Sequence, residues 1–211
     1  RMTPVAFSPE QEDALQEVIN VGMGQGGAAL GTVLDAYVAL SVPQVRIVSA
    51  GEVANEVEAM MARLPETDPS EVAAVRQAFF SSLRGESIAF FGARGCDALA
   101  DLMGHDTPAR EDALNEELLM EVSNILAGAV VNGVAEQLAT EFAFSAPTFM
   151  SRDQSLRNLL TPETVGWRHA LLVEVSFRVQ ERDFACHLVL LMPEDSLERL
   201  RSDLDRMLES L

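Results

Sequence analysis

The chain has 211 residues, of which 48% are hydrophobic and 23% charged, as in proteins that bury a sizeable core. Its formal net charge of −18 argues against nucleic acid and against insertion into anionic membranes, because phosphate groups attract basic surfaces. The charge favours a protein partner with a cationic patch. The two cysteines, Cys96 and Cys186, indicate a reducing, cytoplasmic setting, and the longest apolar runs fall short of the ~18 residues of a membrane span.

The first predicted element is a helix that leads into a glycine-rich stretch. Ser8 is a candidate N-cap and Pro9 suits the first helical position, ahead of apolar residues that recur at helical spacing. Gly22, Gly24 and Gly27 then form the pattern GxGxxG. A dinucleotide-binding turn requires a strand before these glycines. The preceding helix therefore argues against a nucleotide-binding enzyme.

The later elements alternate between hairpins and helices. The first half predicts a strand at 44–50, a helix at about 51–63, a loop at 64–71, two strands within 71–92 and a short helix to Gly104. The second half predicts helices at 111–124 and 152–160, strands at 170–180 and 184–192, and a final helix opened by Pro193. This order indicates an α+β fold with about six strands in one antiparallel-rich sheet.

The chain contains an internal repeat. A shift of 104 residues aligns residues 12–43 with residues 116–147 without a gap, and ten of the 32 positions are identical. Chance would supply roughly two identities with ordinary residue frequencies. We therefore expect one domain over residues 2–211, built from halves 2–104 and 105–211 that are related by a pseudo-two-fold axis, with paired surface helices.

The repeat separates the glycines from the polar residues before them. Gly24 recurs as Gly128, whereas leucine and valine replace the other two glycines of the pattern. The sequence predicts that Gly24 and Gly128 permit a bend or close packing between helices. The Glu-x-x-Asn that precedes the glycines is present in both copies. It is the better indication of a functional site.

Each copy places these polar residues on one face of a helix. At about 100° per residue, Asp13, Glu17 and Asn20 fall within about 60° of one another, and the apolar residues lie opposite. A solvated face is the ordinary explanation of such a stripe. However, a solvated face would exchange polar residues freely, and asparagine is only a middling helix former. Common ancestry with little divergence is the remaining alternative.

The first stripe resembles the signature of the CheC/CheX/FliY phosphatases of bacterial chemotaxis. That signature reads Asp or Ser, three residues, Glu, two residues, Asn, twenty-two residues, Pro. Asp13, Glu17, Asn20 and Pro43 match it in full. The strand sequence after Pro43 is also similar to that of the family.

The second stripe matches the same signature with one departure. Glu121, Asn124 and Pro147 match, whereas Glu117 occupies the position of the Asp or Ser. The resemblance covers essentially the whole chain, strongly at the two motifs and by element order between them. With two motifs and no appended C-terminal domain, the chain is most similar to the CheC branch.

The resemblance implies hydrolysis of the aspartyl phosphate on a CheY-type response regulator. Asn20 and Asn124 would orient the attacking water, and Glu17 and Glu121 would contact a lysine of the regulator. The regulator would supply its own Mg²⁺, so that this chain needs no cofactor. A CheD-like deamidase is a further implied partner. The rival interpretation is a non-catalytic adaptor or a flagellar-switch-like binding module.

Other candidate groups carry no comparable pattern. Cys186 and His187 are neighbours in a predicted strand and point to opposite faces, so they cannot readily share a metal ion. His105 and His169 have no neighbours at metal-ligand spacing. The sequence therefore predicts no metal site and no serine or cysteine nucleophile.

Overall fold

The computed structural model describes residues 6–62, 72–92, 98–99, 101–104, 112–150, 168–180 and 184–210. The loop predicted at 64–71 and the short helix predicted at 152–160 lie outside the described residues. Cys96 and His105 lie outside them as well.

Four helices and eight strands make up the described fold. The helices are α1 (Pro9–Leu34), α2 (Ala50–Met61), α3 (Asp112–Gln137) and α4 (Glu194–Glu209). The strands are β1 (Val38–Leu40), β2 (Gln44–Ser49), β3 (Ala73–Phe80), β4 (Arg84–Phe91), β5 (Ala143–Phe144), β6 (Thr148–Met150), β7 (His169–Val179) and β8 (Ala185–Pro193). The predicted α+β class is confirmed; α1 continues through the glycine-rich stretch, and α3 continues well beyond the end predicted at 124.

The start of α1 follows the chemistry of its first residues. The Ser8 backbone N–H donates to Gln11 Oε1 (2.8 Å), and the Gln11 N–H donates to Ser8 Oγ (3.3 Å). Pro9 occupies the first helical position, and Glu10 and Glu12 lie near the positive end of the helix dipole. The predicted N-cap is therefore confirmed.

All eight strands belong to one antiparallel sheet. Its order is β1-β7-β8-β4-β3-β5. Strand β2 pairs with β7, as β1 does, and β6 pairs with β3, as β5 does. The strands that follow α1 thus pair with β7 of the second half, and the strands that follow α3 pair with β3 of the first half. The two halves are intertwined through these edge strands.

The strand registers repeat between the two edges of the sheet. Gln44 lies opposite Glu174, and Thr148 lies opposite Arg76. From the first pair to the second, the residue number in the edge strand rises by 104 and the residue number in its partner strand falls by 98. Leu40 opposite Phe177 and Phe144 opposite Phe79 obey the same pair of shifts. The pseudo-two-fold arrangement predicted for the fold is present at both edges.

The sheet separates two hydrophobic layers. The larger core lies between one sheet face and α1, α3 and α4, and includes Val18, Val122 and Leu200. A smaller core lies on the opposite face under α2, around Val53 and Phe90. This layering holds α1 and α3 on the same side of the sheet and leaves one side of each helix free for polar residues.

The glycine-rich stretch of α1 is helical rather than a turn, and Gly22 within it packs closely against α3. The helix continues through the whole GxGxxG stretch. A Cβ at Gly22 would lie 2.7 Å from the Val130 carbonyl oxygen and 2.8 Å from Val134 Cγ2, both on α3. Nothing lies within 4 Å of a Cβ at Gly24 or Gly128. The role predicted for Gly24 and Gly128 was therefore wrong, because α3 closely approaches Gly22, on a different face of α1.

Helix α3 is the most apolar long segment among the described residues. Glu116–Gln137 is long and apolar enough to cross a membrane, with a mean hydropathy of 1.5 in its best window, contrary to the expectation from the apolar runs. However, 61% of that window is buried inside the protein. Its apolar side chains pack against α1 and the sheet, which explains the composition of a core helix.

Candidate functional site

The two predicted Glu/Asn pairs lie on the solvent-facing sides of α1 and α3. Glu17, Asn20, Glu121 and Asn124 are all exposed. Each asparagine stands about one helical turn beyond its glutamate, because three residues correspond to nearly a full turn. The structure therefore presents two separate Glu/Asn pairs at the surface.

The supporting residues of the two motifs surround these pairs. Asp13 and Glu117 are exposed one turn before the glutamates, Pro43 is buried and Pro147 is half-buried. Each proline lies between two short edge strands, at the sheet margin next to its helix. The first pair therefore lies near the β1/β2 edge and the second near the β5/β6 edge. Five interstrand spacings of about 4.8 Å separate these edges by roughly 24 Å.

A neighbouring glutamine holds the first asparagine. Gln16 Nε2 donates to Asn20 Oδ1 (3.2 Å) and approaches the Pro43 carbonyl oxygen (3.4 Å). Gln16 precedes Asn20 by one helical turn and is half-buried. The contact ties the asparagine side chain to the segment between β1 and β2.

A glutamine from the sheet holds the second asparagine. Gln77 Nε2 donates to Asn124 Oδ1 (2.7 Å) and to the Ser145 carbonyl oxygen (2.9 Å). Gln77 lies in β3 and is only 3% exposed. Both sites thus use a glutamine amide as a bridge between the asparagine carbonyl and a backbone carbonyl, although the two glutamines come from different elements.

Two serines of the repeat fasten the edge segments to the sheet. The Ser41 N–H donates to the Ser176 carbonyl oxygen (3.0 Å), and the Ser176 N–H donates to Ser41 Oγ (2.9 Å). At the other edge, the Ser145 N–H donates to the Ala78 carbonyl oxygen (3.0 Å), and the Ala78 N–H donates to Ser145 Oγ (3.0 Å). These reciprocal bonds explain why serine occurs at both positions of the repeat.

The two glutamates of the pairs could each bind a cationic group of a partner protein. Neither Glu17 nor Glu121 forms an ion pair or side-chain hydrogen bond with another residue that the structure describes. Several glutamates and aspartates elsewhere are paired with arginines, as in the contact of Glu174 with Arg46 (2.8 Å). The glutamates therefore offer unpaired side chains to solvent, in a chain whose formal net charge is −18.

Gln16, Gln77 and the two serines were not predicted as site residues from the sequence. The signal for Gln77 was present, because Ala73, Val75 and Phe79 share its face of β3 and are buried and apolar. A lone polar residue on an apolar strand face requires a hydrogen-bond partner. That partner could not be identified from the sequence, since Asn124 is 47 residues away.

The remaining candidate groups have structural roles. Cys186 is fully buried in the larger core, and burial raises the pKa of its thiol to about 12, so that it is unreactive at neutral pH. His169 Nδ1 lies 3.3 Å from Glu194 Oε2, at the start of α4. Among the described residues, no group of three or more histidine, cysteine, aspartate or glutamate side chains could hold a metal ion.

Comparison with solved structures identifies the fold as that of the CheC/CheX/FliY proteins of bacterial chemotaxis. The chain is similar to Thermotoga maritima FliY, with a TM-score of 0.70 and 17% identity over 96% of this chain and all of that one. It is similar to CheX from Desulfovibrio desulfuricans, with a TM-score of 0.55 and 13% identity over 83% of this chain and 99% of that one.

FliM shares the same fold. In its complex with SpeE from H. pylori, FliM gives a TM-score of 0.62 and 13% identity over 96% of this chain and 98% of that one. No protein-family model matches the sequence, and no curated protein matches it. The chain therefore has the fold that these chemotaxis proteins and FliM share, and the resemblance predicted from the two motifs is confirmed at the level of the fold.

Proposed function

We propose that this protein is a phosphatase that hydrolyses the aspartyl phosphate of a CheY-type response regulator. One observation carries the proposal. Two pseudo-symmetric helices each expose a Glu/Asn pair, and in each pair a glutamine amide holds the asparagine carbonyl. At the second site the glutamine is a buried residue of the sheet, which fixes the asparagine more firmly than an ordinary solvated helix face would, because exposed side chains retain their rotamer freedom.

The chemistry of the asparagines suits phosphoryl transfer to water. Such a reaction depends on an in-line water and on charge stabilisation rather than on covalent catalysis. A carboxamide accepts a hydrogen bond from the water and donates others, and it is neutral beside a phosphoryl dianion. The Oδ1 atoms of Asn20 and Asn124 each retain acceptor capacity for that water after accepting one glutamine N–H.

The glutamates suit docking rather than catalysis. A carboxylate near the phosphoryl group would be repelled, because like charges at ~4 Å oppose each other by about 4 kcal/mol at an effective dielectric constant of 20. Glu17 and Glu121 instead offer exposed acceptors for a lysine or arginine of the regulator. The strongly acidic surface would add long-range attraction toward a basic patch.

The regulator would bring the remaining catalytic groups. Mg²⁺ and a lysine on the response regulator would neutralise the phosphoryl oxygens, so that this chain would need no cofactor of its own. We place the protein in the cytoplasm, where response regulators act. A CheD-like deamidase is a second proposed partner, on the strength of the CheC-like motifs.

A non-catalytic binding module is the alternative, and the similarity to FliM favours it. The TM-score with FliM, 0.62, lies between that with CheX, 0.55, and that with FliY, 0.70, so the fold alone does not separate a switch component from a phosphatase. The two Glu/Asn pairs favour the enzyme. An adaptor requires a docking surface but no group that orients water.

The decisive experiment measures the decay of phosphorylated CheY with catalytic amounts of the protein. Asn20→Ala and Asn124→Ala remove the water-orienting amide without adding charge, on exposed helix positions that tolerate alanine. Each single variant should keep part of the activity, and the double variant should lose nearly all of it. Circular dichroism and the melting temperature serve as folding controls.

The same experiment separates the two candidate functions. A folded Asn20→Ala/Asn124→Ala protein that dephosphorylates CheY at the wild-type rate would contradict the catalytic role. A wild-type protein that binds CheY without accelerating its decay would favour the adaptor.

A further inference from the structure

We infer that Gln77 is a positioning residue for Asn124, and that the second site is consequently the better organised and more active of the two. This inference rests on the proposed phosphatase function. It concerns the orientation of one carboxamide, which decides whether an oxygen or an NH₂ group faces the attacking water.

The hydrogen-bond network determines the orientation of the Asn124 amide. The Ser145 carbonyl oxygen can only accept a hydrogen bond, so the Gln77 atom 2.9 Å from it must be the NH₂ group. The same NH₂ group lies 2.7 Å from Asn124, which must therefore present its carbonyl oxygen. The reciprocal bonds between Ser145 and Ala78 keep that backbone carbonyl in place. Gln77 thus attaches the exposed Asn124 side chain to the sheet.

Stability alone does not explain a glutamine at this position. Gln77 is 3% exposed, and its Oε1 atom is buried without a hydrogen-bond partner among the residues that the structure describes. An unsatisfied buried carbonyl costs stability. The register places Val175 at the equivalent position of β7, where an apolar side chain is fully buried. The fold accepts valine there, so the NH₂ group of Gln77 has a purpose other than packing.

The first site has a weaker version of the same bridge. Gln16 Nε2 lies 3.2 Å from Asn20 Oδ1 and 3.4 Å from the Pro43 carbonyl oxygen, both longer than the corresponding distances of Gln77. The Gln16–Asn20 bond is exposed, and water competes for it. The Asn20 side chain therefore samples more orientations than the Asn124 side chain.

The test isolates each site and then removes Gln77. Asn20→Ala leaves only the second site, and Asn124→Ala leaves only the first. Into each background we introduce Gln77→Val, which copies the residue of the equivalent position, and separately Gln77→Met, which preserves side-chain length. The assay is the decay of phosphorylated CheY, analysed for kcat and KM, with the melting temperature measured for every variant.

We expect the effect to be confined to the second site. The Asn20→Ala protein should be more active than the Asn124→Ala protein. In the Asn20→Ala background, both Gln77 variants should lower kcat roughly three- to tenfold, the equivalent of one net hydrogen bond, with little change in KM. In the Asn124→Ala background, the same substitutions should leave kcat within about twofold, because the group that Gln77 positions is already absent.

Two results would overturn the inference. An unchanged kcat in the Asn20→Ala background would show that Gln77 does not position Asn124. An equal loss in both backgrounds would show that Gln77 acts through general stability. A wild-type protein without phosphatase activity would instead refute the proposed function, so the two failures are distinguishable.

Discussion

The close contact of α1 and α3 predicts opposite effects for two alanine substitutions only two residues apart. Gly24→Ala should stabilise the protein by up to about 1 kcal/mol, because alanine is the better helix former and its Cβ meets nothing within 4 Å. Gly22→Ala gains the same propensity but places a Cβ 2.7 Å from the Val130 carbonyl oxygen. Overpacking typically costs about 1–3 kcal/mol, and a backbone oxygen cannot rotate away. The net effect should be destabilisation.

Thermal unfolding followed by circular dichroism or calorimetry measures this difference. For a domain of about 200 residues, 1 kcal/mol corresponds to roughly 2–4 °C in Tm. Gly24→Ala should therefore raise Tm by about that amount, and Gly22→Ala should lower it. Equal stabilisation by both substitutions would refute the described contact between the helices, and with it the relative placement of the two Glu/Asn pairs.

Three further predictions concern the candidate sites and the core. Glu17→Gln combined with Glu121→Gln should raise KM for phosphorylated CheY more than it lowers kcat, and the salt dependence of KM should weaken; an unchanged KM would contradict a docking role. Asn20→Asp combined with Asn124→Asp should abolish activity at least as fully as alanine in the CheY decay assay, because it places negative charge against the phosphoryl group. Cys186, whose pKa burial raises to about 12, should resist iodoacetamide at pH 8 in the native protein and react after denaturation, as read by mass spectrometry. Rapid native labelling of that thiol would show that β8 opens readily.

Local sequence patterns were sufficient for the elements that carry the site. Ser8 as a candidate N-cap, Pro9 and the apolar spacing predicted α1, and the 104-residue repeat predicted that a second helix would present Glu121 and Asn124 in the same way. The helical period alone placed Glu17 and Asn20 opposite the buried face. These features depend on interactions within a few residues, which a sequence displays directly.

The glycines show where local patterns failed. The repeat drew attention to Gly24 because it recurs as Gly128, yet both positions face open space. Gly22, which has no glycine counterpart in the second copy, is the residue that meets α3. Identity between copies reports common ancestry, whereas the need for glycine depends on which atoms of another helix approach that position.

The sequence by itself determined that α1 and α3 are helices, that β3/β4 and β7/β8 are strand pairs, that the chain contains a repeat, and that the two Glu/Asn pairs are exposed. The tertiary structure alone decided that the edge strands exchange between halves, that Gly22 contacts α3, and that Gln77 meets Asn124. The physical reason is the range of the interactions. Helical periodicity and caps operate within one or two turns of a chain, whereas strand pairing and helix packing join residues whose separation in sequence carries no information about their distance in space.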